Sequence, residues 1–398
     1  MKKYDLLTPE GTRDLVFDEC VALRKVEERL RNIFESHGYS EVITPGLEFF
    51  DVFFNKSRYL PQESMYKLSD GKGRLMVIRP DSTMPIARLV GTRLKDSKLP
   101  VKLFYNQTIY RANPKNSGRD DEFSQAGIEI IGGDTIRADM ESLSIATEVM
   151  EAFESEDYRF EIGDSGFFRL LSAKLSFNES EMDALRIYVQ TKNYPALKEM
   201  LSPYENDPYV AALIKLPELF GGSEVFEKAE KILPDDETKN ILSSLKKIYD
   251  GLCDLGIKDK VTVDLGLIGK NEDYYTGIVF KGYIEGCGTH VLSGGRYDSL
   301  IGGFGVDTPA TGFAINENAV AGIILKKEGK ELMTPPDVLI FAEESCIVQS
   351  VKYCRQLISE GLRVEYADFE TLDEAMNYAR TRNIKRLDVI TPDGVRII

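Results

Sequence analysis

At 398 residues the chain is long for a single core, and two or three domains are expected. With 42% hydrophobic and 29% charged residues it has the composition of a folded globular protein, and its net charge of -15 opposes non-specific attraction to phosphate backbones. The first residues hold no apolar run long enough for a signal peptide, and no segment approaches about 18 uninterrupted apolar residues, so a cytoplasmic protein with no membrane or nucleic-acid partner is expected.

In chain order, Val16, Phe17, Val21, Leu23, Val26, Leu30, Ile33 and Phe34 fall at helical spacing and predict an amphipathic helix over 16–36, ending at His37-Gly38. EVITPGLEFF reads as extended, with Pro45 at an edge or interface because it has no N–H for a ladder. RLMVI (74–78) is a second strand, and DSTMPIAR opens a helix for which Asp81 and Ser82 are plausible N-caps. VKLFYNQTIYR (101–111) and DEFSQAGIEIIG (121–132) form a strand pair joined by the turn-rich ANPKNSGRD. On the second strand Ala126, Ile128 and Ile130 share one face, and Gln125, Gly127 and Glu129 the other. That polar face suits solvent, or a ligand that approaches the backbone at Gly127.

Residues 166–258 turn helical, in periodic segments separated by PYENDPY and LPDDE, and predict a helical insertion. VTVDLGLI and TGIVFKGYIEGCGTHVLSGG return to strand, with EGCG as the turn; Tyr274 and Tyr275, adjacent in such a strand, would face opposite ways. LKKEGKELMTPP is the expected linker to a small α/β domain over 334–398, with helices over 347–359 and 371–382.

Five scattered cysteines, an odd number, suit reduced thiols. Cys287 and His290 have C-x-x-H spacing but no second pair, so no metal is expected. The only other histidine, His37, closes the first helix, where a dipole contact explains it. No nucleophile-base pair, Walker loop or dinucleotide fingerprint is present, so neither a catalytic residue nor a cofactor is assigned.

Seven segments in collinear order resemble the class II histidyl-tRNA synthetase family: PEGTRDL (9–15), VITPGLE (42–48), RPDST (79–83), YRANPKNSGRDDEFSQAGIEIIG (110–132), DYYTGIVF (273–280), SGGRYDSLIGGFG (293–305) and ATGFAI (310–315). The resemblance implies an α+β fold over 1–325: an antiparallel sheet of six to eight strands flanked by helices, carrying the helical insertion and dimerised through the helix and strand around Pro45. Carried over by position, an L-histidine site comprises Asp81, Ser82, Thr83, Arg111, Gln125, Glu129, Tyr274, Tyr275 and Tyr297. Asp81 and Thr83 would lie near the amino group, Arg111 and Gln125 toward the carboxylate, and Glu129, Tyr275 and Tyr297 around the imidazole. A zwitterion with a heteroaromatic ring needs such a set, because a buried unpaired charge is costly.

The chain departs from the family where ATP is held. Asn113 replaces a glutamate, Asp121 an arginine, Lys270 an arginine, and Ala319 the arginine that contacts adenine and phosphate. Adenylation needs cations against about four negative charges, and such stabilisation often carries several kcal/mol of a barrier. Lysine keeps charge but not the bidentate fork. The C-terminal domain is also short for an anticodon-binding one. This pattern resembles the regulatory paralogues of the synthetase that associate with a short-form ATP phosphoribosyltransferase catalytic subunit. The resemblance implies activation of that enzyme in the first step of histidine biosynthesis, feedback control by L-histidine, and a hetero-octamer; a divergent synthetase is the alternative.

Overall fold

The computed structural model describes residues 4–54, 60–114, 118–153, 157–269, 274–328 and 332–398. Helix α1 (Asp18–Ser36) buries Ala22, Leu23, Val26, Leu30, Ile33 and Phe34, the face set by their spacing. It begins two residues later than the sequence predicts. Phe17 holds a left-handed φ of 49°, the Glu19 carboxylate accepts the Val16 N–H at 3.2 Å, and Val16 and Phe17 stay exposed. Pro45 falls in an exposed gap between β1 (Ser40–Glu41) and β2 (Leu47–Phe49). Short helix α2 (Asp51–Phe54) and strands β3 (Lys67–Ser69) and β4 (Leu75–Ile78) follow, and β2, β4 and β3 form a small antiparallel sheet.

After α3 (Thr83–Thr92), β5 (Val101–Tyr110) pairs antiparallel with β6 (Glu122–Ile131) through ten residue pairs. Helix α4 (Ile136–Glu151) and strand β7 (Tyr158–Asp164) come next. His37 stands at the C-terminal cap of α1, where the sequence places it, and its ring also meets Glu148 of α4 at 2.7 Å.

The insertion comprises α5 (Ser165–Ala173), α6 (Glu179–Gln190), α7 (Tyr194–Leu201), α8 (Pro208–Ile214), the two-residue strand β8 (Phe220–Gly221), α9 (Glu224–Ile232) and α10 (Asp236–Asp254). Its boundaries are written locally. Asp164, Asn178, Asn193, Asp207 and Asp235 each accept a helix N-terminal N–H, with a full capping box at Asn178 and Glu181. PYENDPY and LPDDE break the pattern because they hold two of these caps.

Strands β9 (Val261–Asp264), β10 (Ile278–Ile284), β11 (Leu292–Arg296) and β12 (Ala310–Asn316) complete a nine-stranded sheet of order β1-β5-β6-β12-β11-β10-β7-β9-β8. The run from β5 to β7 is antiparallel, as the resemblance implies. The whole sheet is larger and mixed, because β1 joins β5 and β9 joins β7 in parallel. One row across it, Phe104, Ile128, Phe313, Gly294 and Phe280, is packed, with Phe34 of α1 5.7 Å from Phe104 and 6.1 Å from Phe313. A side chain at Gly294 would strike Phe280 and Phe313, so this glycine relieves crowding.

Helix α11 (Glu317–Glu328) runs into the segment expected to be linker, taking up its first four residues; residues 329–331 lie outside the described ones. The chain divides into two compact units, Met1–Lys327 and Glu328–Ile398. In the second, β13 (Val338–Ala342), α12 (Ile347–Ser359), β14 (Val364–Tyr366), α13 (Leu372–Thr381), β15 (Leu387–Thr391) and β16 (Gly394–Ile397) form a sheet of order β14-β13-β15-β16. Leu339 and Val389 pack on Ala375 and Ala379 of α13, and Val338 and Ile390 on Cys354 and Leu357 of α12. All five cysteines are free. Among the described residues no helix is long and apolar enough to cross a membrane.

Candidate functional site

A cavity opens on the sheet face away from α1, lined by Asp81, Thr83, Arg111, Gln125, Glu129, Tyr274, Tyr275 and Tyr297 among others. Eight of the nine residues in the sequence-derived set therefore meet there. Ser82 does not line the cavity: it stands at the N-cap position of α3, and its Oγ is buried with no hydrogen-bond partner among the described residues. The capping bond comes from Asp81, whose Oδ1 accepts the Met84 N–H at 3.1 Å.

The polar face of β6 is buried, not solvated. Gln125 is 8% exposed and Glu129 2%. Gly127 does not admit a ligand, because the space its side chain would take is filled by the Tyr105 ring and the Phe313 carbonyl. The close approach occurs one strand over. Gly312 of β12 sits directly opposite Glu129, and a Cβ there would lie 2.4 Å from Glu129 Oε2.

Glu129 is the electrostatic centre. Its Oε1 accepts from Thr83 Oγ1 at 2.8 Å and its Oε2 from the Tyr297 hydroxyl, while no cation among the described residues pairs with it. Burial pushes this carboxyl up to about 8, against the pull of the Tyr297 and Thr83 hydrogen bonds. The Tyr297 phenol rises for the same reason, with Glu129 adding to it. Asp81 is also raised by burial and held down in part by Arg111, whose Nη2 lies 3.4 Å from Asp81 Oδ2 and whose Nε donates to the Pro80 carbonyl at 2.7 Å. Arg111 is thus tied into the wall and is no free surface charge.

Tyr274 and Tyr275 occupy the turn before β10 rather than a strand, so they do not alternate. Both rings line the cavity, edge to face at 4.7 Å, and Tyr274 stacks on Tyr297 at 5.5 Å. The Tyr275 carbonyl accepts from Arg169 of α5 at 2.9 Å, linking insertion and cavity. The sequence reading missed Ser293, Gly294, Gly312, Phe313 and Ala314 as lining residues. The Gly in ATGFAI, between small residues of a strand, was the available signal.

Positions that the sequence reading sets apart from the synthetase pattern have local partners. Asp121 Oδ1 accepts the Asn113 N–H at 2.9 Å and its Nδ2 at 3.2 Å, and Oδ2 accepts the Tyr66 hydroxyl, raising that phenol to about 12. The Ala319 N–H donates to Asn316 Oδ1 at 3.0 Å, and Asn318 Oδ1 accepts the Ser124 N–H at 2.8 Å, fastening α11 to β6. Neither Ala319 nor Arg119 lines the cavity. Lys270, Asn271, Glu272 and Asp273 lie outside the described residues.

A largely antiparallel sheet flanked by helices, with a polar cavity on one face, is the class II synthetase architecture, and the Histidyl-tRNA synthetase family profile matches residues 11–320. A histidyl-tRNA synthetase from Nostoc sp. shares the fold, with a TM-score of 0.76 at 22% identity over 98% of this chain and 92% of that one. The chain is 38% identical over 387 residues to an ATP phosphoribosyltransferase regulatory subunit of Bacillus cereus, covering 96% of this chain and 91% of the relative. One from Clostridium botulinum is 36% identical over 389 residues, covering 96% and 92%. A crystal structure from Bacillus halodurans, described as an ATP phosphoribosyltransferase regulatory subunit/histidyl-tRNA synthetase, superposes with a TM-score of 0.83 at 28% identity, covering 98% and 99%. Within the synthetase-like class, the chain belongs to the family of ATP phosphoribosyltransferase regulatory subunits.

Proposed function

We propose that the protein is a non-catalytic regulatory subunit that binds L-histidine in this cavity and passes its occupancy to a short-form ATP phosphoribosyltransferase catalytic subunit, setting its activity in the first step of histidine biosynthesis. The carrying observation is Glu129, a buried carboxyl group with hydrogen-bond donors but no cation among the described residues, facing a cavity beside three tyrosines. An imidazole N–H supplies what Glu129 lacks, Asp81 and Thr83 offer acceptors to an ammonium, and Arg111 and Gln125 offer donors to a carboxylate.

The self-contained network of Asp121, Asn113 and Tyr66 supports the loss of ATP chemistry, since a carboxylate there repels a triphosphate. Assembly follows the same reading: a homodimer core within a cytoplasmic hetero-octamer, formed by a synthetase-like domain over 1–325 and a small α/β domain over 334–398. Titration calorimetry with L-histidine tests the site, and assay of a short-form catalytic subunit with and without this protein tests the partner. Absence of both effects sinks the proposal, and histidine-dependent ATP–pyrophosphate exchange would favour the synthetase alternative.

A further inference from the structure

Among the described residues of the DYYTG and GGRYD segments, three with polar side chains do not line the cavity: Thr276, Arg296 and Asp298. They are nevertheless joined to each other. Tyr297 faces the cavity between Arg296 and Asp298, which turn to the other side, toward α4. Arg296 is 9% exposed, and its guanidinium is saturated. Nη2 lies 2.9 Å from Asp139 Oδ1 of α4, Nε donates to both Asp139 oxygens at 3.1 Å, and Nη1 donates to the Gly133 carbonyl at 2.9 Å and to Asp298 Oδ1 at 3.0 Å.

Asp298 carries the connection on. Its Oδ2 accepts from Thr276 Oγ1 at 3.0 Å, its own N–H donates back to that oxygen at 2.9 Å, and the Thr276 N–H donates to the Arg296 carbonyl at 2.7 Å. Thr276 directly follows Tyr275. One clasp therefore holds both the turn carrying Tyr274 and Tyr275 and the backbone on either side of Tyr297. A buried ion pair of this kind adds little net stability, but its directional bonds fix geometry. A recognition group must be held within about 0.5 Å to be useful.

We propose that Arg296, with Asp139, Asp298 and Thr276, is a positioning residue for the cavity: it sets Tyr297 against Glu129 and the Tyr274-Tyr275 turn beside it, so that affinity for an imidazole-bearing amino acid depends on a guanidinium that touches no ligand atom. This rests on the histidine-site reading above.

A double-mutant cycle in the full-length protein tests it, with calorimetry of L-histidine binding to wild type, Arg296→Met, Tyr297→Phe and the double variant. Arg296→Met alone is expected to weaken binding about tenfold or more, and less than about threefold further once Tyr297 is already phenylalanine. Equal losses in both backgrounds overturn the proposal, since a generally structural residue acts additively. If Arg296→Met does not fold, Thr276→Val, which opens the clasp at its outer end, takes its place with an expected loss of about threefold to tenfold. Amide hydrogen exchange at Thr276 needs no ligand and separates the two readings. Faster exchange by about tenfold in the variant supports the clasp even if wild type binds no histidine, whereas unchanged exchange overturns it.

Discussion

The two ends of the β5–β6 hairpin put similar residues to opposite uses. Deep in the sheet, Gln125 and Glu129 hold polar atoms toward a cavity, and burial raises the Glu129 carboxyl far above its ordinary ionisation. At the turn end, Asp121 has a comparable burial, 9% exposed, but its oxygens are fully engaged by Asn113 and Tyr66, and the N–H groups of Asp121 and Glu122 both donate to the Gly11 carbonyl. Gly11, with φ of 77°, has no room for a side chain, because a Cβ would lie 2.4 Å from Asp121 Cγ. Burial alone does not mark a binding residue. Each carboxyl has hydrogen-bond donors on both of its oxygens, so what separates them is the space beside Glu129, which lines the cavity, whereas Asp121 does not.

Several measurements would break that contrast or sharpen it. The largest expected effect is at the cavity: Arg111→Met should weaken L-histidine binding by about 100-fold or more, as removal of one partner from a buried charge pair does. Glu129→Gln, which keeps the shape but not the charge, should cost about 10- to 100-fold. If either leaves calorimetric affinity unchanged, the cavity is not the histidine site.

The pH dependence follows in size. With Glu129 raised to about 8 in the free protein, a ligand N–H that favours its charged form must displace a proton. Affinity should therefore rise between pH 7 and 8, by at most about tenfold per unit, and flatten above; Glu129→Gln should remove the slope. Stability moves the other way. Glu129 and Glu317 both sit at about 8 when folded, so the native state keeps protons that the unfolded chain releases, and ligand-free Tm should fall as pH rises from about 5 to 8. Glu317→Gln should flatten part of that fall without touching histidine affinity.

At the turn end, Asp121→Ala should leave histidine affinity within about twofold while lowering Tm by about 2–5 °C, since it strands the Asn113 N–H and the Tyr66 hydroxyl. The smallest expected effect is none: Asp121→Arg combined with Ala319→Arg should produce no histidine-dependent ATP–pyrophosphate exchange, because Asn113 and the remaining departures stay in place.

Much of this was legible from residue order. The α1 face, the β5–β6 pair, the helical insertion with its breaks and the small α/β unit follow from period and punctuation, which are local. What escaped is set by register between distant strands. Gly127 looked like the place for a ligand, yet Tyr105 of β5 fills it, and the vacancy Glu129 needs lies at Gly312, 183 positions later by subtraction of the two residue numbers. The tyrosine pair was assigned opposite faces because a strand was assumed, whereas the chain is still turning at Thr276, held by Asp298. That no cation among the described residues pairs with Glu129 had no sequence signature at all.

Strand β12 lies between β6 and β11, and its residues 312–314 close the cavity between segments that the chain lays down far apart. A ribosome that has finished β6 and the whole helical insertion has not yet made this wall of the cavity. On the histidine-binding reading proposed above, a chain that stops short of Ala314 would therefore lack the site, however well its earlier strands had paired.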